Sequence, residues 1–230
     1  MTLKAILFDL DDTLLDTNMD RFIPKYLDAL GYKMKHLMNS KELIDLVLES
    51  TYKMIENQDS KLTNKQVFYN HFYSKTNFSR SDFQILIEEF YDIDFPKLKI
   101  YTKSIPFVAK SVQEISNDGY KLAIATNPLF PAKAIQHRID WADLSKVKFD
   151  LITSYENSHF CKPNPDYYTE ILEKLEVKPD EALMVGNDYA NDIVPADSLG
   201  IQTFFINSKS ETGKSGSIEE CFRWIHEKFK

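Results

Sequence analysis

Four short stretches of the chain carry acids, a hydroxyl and an ammonium at spacings that could do chemistry. They are Asp9-Leu10-Asp11-Asp12-Thr13, Thr126-Asn127, Lys162-Pro163 and Asn187-Asp188 with Asp192. Asp9 and Asp11 are two residues apart, so in extended backbone both leave on one face. Asp12 then points away and reads as structural, and Thr13 reads as a turn cap. Carboxylates gathered in one place repel one another unless a cation sits among them. Oxygen donors without clustered His or Cys suit magnesium rather than zinc. A metal held by acids, beside Lys162 and a hydroxyl, describes a site for a phosphoryl group. Metal and ammonium neutralise its oxygens, and a carboxylate can attack phosphorus.

The elements around these stretches must bring them together. Lys4–Asp9 is a continuous apolar run ending in acid, as a strand buried on both faces should be. Similar runs occur at Tyr120–Thr126, Phe149–Ser154, Ala182–Gly186 and Ile201–Ile206. Helical patterns separate them at Ile105–Asn117, Pro165–Glu176, Asp192–Leu199 and Ser217–Phe229. This alternation predicts an α/β fold, a Rossmann-like parallel sheet with helices on both faces. Ligands bind such sheets outside the carboxyl ends of the strands, and each chemical stretch follows a strand end.

The segment from about Asp20 to Asp94 has no comparable strand. It carries amphipathic stripes at Leu43, Ile44, Val47 and Leu48, and at Phe83, Leu86, Ile87 and Phe90. Thr63-x-x-Gln66 and Ser81-x-x-Gln84 fit the capping-box pattern that starts a helix. The expected organisation is a discontinuous core, residues 1–16 and 97–230, with a helical cap over 17–96. Asp16–Asn18 and Asp94–Lys97 would be its hinges, and Ser208–Ser217 the most loop-like piece of the core.

Composition narrows the partners. The 230 residues carry a net charge of −7, which disfavours nucleic acid and anionic membranes. An anionic small molecule is still admissible, because a bound cation can reverse the sign inside one pocket. The two cysteines form no CxxC, and the short apolar start meets three aspartates too soon for an export signal. A cytoplasmic enzyme acting on a small phosphorylated metabolite is the expected class.

In motif order and spacing the chain resembles the haloacid dehalogenase-like superfamily, in its phosphatase branch with a helical cap after the first strand. FDLDDTLL carries that family's DxDxT motif, ATN the second, KPNP the third and GNDYANDI the acidic fourth. The resemblance implies Asp9 as nucleophile and Asp11 as acid, then base, its carbonyl also binding Mg2+. It implies that Thr126 and Asn127 bind the phosphoryl group and that Lys162 neutralises the nucleophile. Asp9, Asp11 and Asp188 would be the metal ligands, with Asp192 in support. One departure is Asn187, where the family has Gly-Asp; the spacing Asp188–Asp192 keeps a pair of acids. Another is the rigid run Asn127-Pro128-Leu129-Phe130-Pro131.

Alternatives come from other chemistries. A dehalogenase of this family lacks the second aspartate, which is present here as Asp11. A sugar phosphomutase shares every core residue with a phosphatase, and a non-catalytic phosphate- and magnesium-binding regulator would lack turnover. The five histidines show no metal-ligand spacing, and nothing marks Cys161 as reactive. Arg21 and Lys25, one turn apart at the start of the cap, are placed to reach an anionic substrate, Arg21 as a substrate-binding residue. The cap would close over the crevice and open for release.

Overall fold

The computed structural model describes residues 2–206 and 214–229. Five strands build the body of the sheet: β1 (Ala5–Phe8), β4 (Lys121–Ile124), β5 (Leu151–Ile152), β6 (Ala182–Gly186) and β7 (Gln202–Ile206). A short strand β8 (Lys214–Gly216) extends the edge, giving the order β5-β4-β1-β6-β7-β8 with every pair parallel. Ser208–Ser217, expected as a loop, thus contributes β8, and its residues 208–213 lie outside the described part.

Side-chain alternation decides the two faces. Ile6, Phe8, Leu122, Ile124, Leu183 and Val185 belong to one buried layer. The helices α5 (Val108–Asn117), α6 (Ala132–Trp141) and α9 (Ile218–Phe229) also contribute to it. On the other face Ala5, Ala123 and Ala182 leave room for large partners. There α7 (Pro165–Leu175) sets Tyr167, Tyr168 and Leu172, and α8 (Val194–Ser198) adds Ala196.

A helical insertion separates β1 from β4. An antiparallel pair, β2 (Leu15–Asp16) with β3 (Lys103–Ser104), joins its two ends. The insertion holds α1 (Met19–Met34), α2 (Ser40–Ile55), α3 (Asn64–Ser74) and α4 (Arg80–Glu89), then helical turns from Phe90 to Tyr101. Asp94–Lys97, expected as a hinge, is therefore helical. Thr63 caps α3 through the reciprocal box with Gln66. Ser81 does not cap α4: Ser79 takes that role, and Ser81 lies in the first turn with its hydroxyl on that of Ser79. Helix α6 was not evident in the sequence, because its buried stripe includes the charged Arg138. Among the described residues no helix is long and apolar enough to cross a membrane.

Helix α3 is fastened to the core at its first residue. Asn64 is fully buried, and its amide donates to the Phe160 carbonyl at 3.2 Å and, more weakly, to the Pro128 carbonyl at 3.4 Å. Its backbone N–H donates to the Ser158 carbonyl at 2.8 Å. Asn64→Ala leaves those side-chain acceptors unmatched and is expected to lower stability by about 1–3 kcal/mol, read as a lower urea midpoint at unchanged slope.

Candidate active site

The carboxyl ends of the central strands open into one pocket of about 300 Å³. Asp9 follows β1 directly, its N–H bonded to the Val185 carbonyl of β6 at 2.9 Å. The chain then turns through Asp12, whose φ of 57° is left-handed and whose carboxylate accepts from the Thr17 N–H at 2.9 Å. Asp9 and Asp11 both line the pocket, two residues apart ahead of that turn. Thr13 does more than cap it: its buried hydroxyl donates to Asn187 Oδ1 at 3.1 Å, and only a long 3.5 Å contact reaches Asp9.

Lys162 is the hub. Its ammonium donates to Asp9 Oδ1 at 2.8 Å and to Asp192 Oδ1 at 2.5 Å, all three groups being buried. Its own N–H is held by Asn127 Oδ1 at 3.2 Å. The Thr126 carbonyl is taken by the hydroxyls of Thr153 at 2.7 Å and Tyr167 at 2.9 Å, which fixes the end of β4. Asp192 comes this deep because Gly186 has no side chain: a Cβ there would stand 2.6 Å from the Asp192 Cβ.

The pocket is lined by Asp9, Asp11, Asp12, Asp188 and Asp192 against the two cations Arg138 and Lys162. Burial lifts the Asp9 carboxyl from the usual 3.8 to about 7; Lys162 opposes the rise, and Asp192 and Asp11 add to it. For Lys162, burial pulls the ammonium down, but Asp192 and Asp9 outweigh it and hold it well above its ordinary value. The acids that line the pocket offer oxygen donors with no His or Cys among them, and among the described residues no three of them are gathered as a ready metal-holding cluster.

Arg138 was not foreseen. It is 1% exposed, donates from Nη1 to Asp11 Oδ2, and lies 4.6 Å over the Phe130 ring. Its Nη2 and Asp11 Oδ1 are both buried without a partner in the protein. A basic residue in a short helix after the second motif was the available signal, hidden because α6 was not recognised.

Two other expectations change. Arg21 is exposed and does not line the pocket, because the buried side of α1 carries Phe22, Tyr26 and Leu30; Met19 lines the pocket instead. Asp188 lines the pocket but is exposed and acts as a cap, accepting from the N–H groups of Ala190 and Asn191, each at 3.0 Å. Asn187 accepts from the Thr13 hydroxyl, and Asp192 is the member of that motif joined to Asp9 through Lys162. Cys161 is buried, accepts from the Asn64 amide at 3.3 Å, and has its thiol pushed by burial to about 12, which makes it unreactive.

A parallel sheet ending in an acid-lined pocket with a buried lysine defines an enzyme-like α/β architecture. The family model described as haloacid dehalogenase-like hydrolase matches residues 6–206, and the chain belongs to that family. It is 27% identical over 209 residues to Pyrophosphatase PpaX of Bacillus mycoides, covering 90% of this chain and 85% of that one. A HAD phosphatase from Thermococcus onnurineus superposes with a TM-score of 0.60 at 22% identity, over 97% of this chain and 98% of that one. The HAD hydrolase YfnB of Bacillus subtilis, in a structure bound to magnesium, gives 0.56 at 18% identity over 98% and 99%.

Two stability measurements test the electrostatics. Folded Asp9 keeps its proton to about 7, whereas an ordinary aspartate loses it near 3.8. The native state then binds more protons across that window. In metal-free protein, the stability of the wild type relative to Asp9→Asn should fall as pH rises from about 4 to about 7, then level off. Thermal melts of the two proteins across that range check it. Arg138→Met strands the Asp11 carboxylate and should cost about 3–5 kcal/mol; adding Asp11→Asn should recover part of that loss in a double-mutant cycle.

Proposed function

We propose that this protein is a magnesium-dependent phosphohydrolase, cleaving a small phosphorylated metabolite through an aspartyl-phosphate on Asp9. The observation that carries the reading is the buried Asp9–Lys162–Asp192 array at the carboxyl ends of the strands. The relatives named pyrophosphatase and phosphatase support it. Residues 17–96 act as the cap in this reading, and the buried free thiols of Cys161 and Cys221 suit a cytoplasmic enzyme.

The residues divide the work. A carboxylate oxygen of Asp9 attacks phosphorus, an O–P bond forms, and the bond to the leaving oxygen breaks. Asp11, through its unpartnered Oδ1, gives the leaving oxygen its proton. In the second half Asp11 takes a proton from water as that water attacks phosphorus. The bond to Asp9 breaks and phosphate departs. Lys162 keeps Asp9 oriented and offsets the charge that develops. The Thr126 hydroxyl and the Asn127 amide receive phosphoryl oxygens. Arg138 positions Asp11, and Asp192 positions Lys162. Magnesium, held by Asp9, the Asp11 carbonyl and the Asn187–Asp188 pair, would neutralise the phosphoryl oxygens.

Hydrolysis of an aryl phosphate should require magnesium and be lost in Asp9→Asn by at least about a thousandfold. Unchanged turnover in that variant would remove Asp9 from the chemistry. Asn187→Asp adds a charge to the ligand set and should lower the magnesium concentration for half-maximal rate by about tenfold. A titration of rate against magnesium checks this.

A further inference from the structure

Next to the charged pocket lies a second cavity, of about 230 Å³, between the insertion and the loop after β4. It is larger than the apolar cavity of about 150 Å³ known to admit benzene. Not one of its lining residues is charged. Helix α1 contributes Ile23, Leu27 and Leu30, α2 contributes Val47 and Thr51, and the core closes it with Leu129–Pro131. Four tyrosines also line it, and their hydroxyls are tied in pairs, Tyr26 to Tyr91 at 3.1 Å and Tyr69 to Tyr155, with burial keeping the Tyr91 phenol neutral.

The two cavities adjoin. Leu129 and Phe130 line both, and Arg138 lies over the Phe130 ring while lining the acidic side. A phosphoryl group bound at Asp9 and Lys162 would therefore direct its ester substituent past these two side chains into apolar surroundings. A sugar or a second phosphate placed there would lose its water and find no charged partner and few free hydrogen-bonding groups, a costly exchange. The Leu129-Phe130-Pro131 part of the rigid run after Asn127 acquires a role here as the apolar floor.

Resting on the phosphohydrolase reading above, we propose that the substrate is a phosphate monoester whose leaving group is apolar, an aryl or branched alkyl alcohol seated between α1, α2 and Leu129–Pro131.

Calorimetric binding of non-hydrolysable phosphonates to the magnesium-loaded protein tests this without requiring turnover. Methyl-, butyl- and hexylphosphonate should bind progressively better, by about three- to fourfold per added methylene until the cavity fills, and phenylphosphonate should bind better than methylphosphonate. The heat-capacity change should be negative. Thr51→Phe, which fills the cavity, should shorten the preferred chain, and Val47→Ala should lengthen it. Equal affinity across the series, no binding of any member, or tighter binding of a hydroxylated analogue than of butylphosphonate overturns the proposal. The two readings separate cleanly. The apolar gradient without hydrolysis of any ester leaves the pocket assignment standing and removes the phosphohydrolase. Hydrolysis of esters with no gradient does the reverse.

Discussion

The buried ammonium of Lys162, shared between Asp9 and Asp192, is the interaction on which the rest of the site depends. Two carboxylates this close in a buried pocket cannot both stay ionised without a cation between them. Lys162 supplies that charge for Asp9 and Asp192, and Arg138 supplies it for Asp11. Gly186 is required by the same arrangement, since any side chain there would expel Asp192. So is the Asn127 side chain, which holds the Lys162 backbone. Removing one partner of such a set strands the others, so the array stands or falls as a unit.

The sheet makes this possible by geometry alone. Parallel strands bring all their carboxyl ends to one edge, so residues as far apart as Asp9, Thr126, Lys162 and Asp192 meet without a long-range search. Small residues on one face, Ala5, Ala123 and Ala182, allow α7 to pack large tyrosines. The Tyr167 hydroxyl then pins the end of β4. The insertion after β1 contributes what the sheet cannot, an apolar chamber next to a charged one, and the α3 N-terminus ties it to the core through Asn64.

How much of this could be read from the sequence depends on the kind of signal. The strands showed as apolar runs closed by acids, and Ala182–Gly186 matches β6 to the residue. Asp9, Asp11, Thr126, Asn127, Lys162 and Asp192 share one pocket as their motif order implied. Arg138 did not show, because a buried arginine on a short helix breaks the apolar stripe by which helices are recognised. Arg21 was misplaced for a related reason: residue type said it could bind an anion, but helical register decided which side of α1 it occupies. The capping role of Asp188 was equally hidden, since a carboxylate that caps a helical turn and one that binds a ligand look alike in sequence. The apolar chamber is assembled from all four helices of the insertion together with Leu129–Pro131 and Tyr155, and has no local signature at all.

Covalent phosphorylation of Asp9 is the step on which the proposed chemistry turns. The most direct measurement is acid quenching during turnover of an aryl phosphate with magnesium, followed by mass spectrometric mapping of the phosphorylated peptide. One phosphoryl group is expected on Asp9, discharged by hydroxylamine as an acyl phosphate is, and absent from Asp9→Asn. Phosphorylation at another residue, or rapid turnover with Asp9 unmodified at every quench time, would contradict that step.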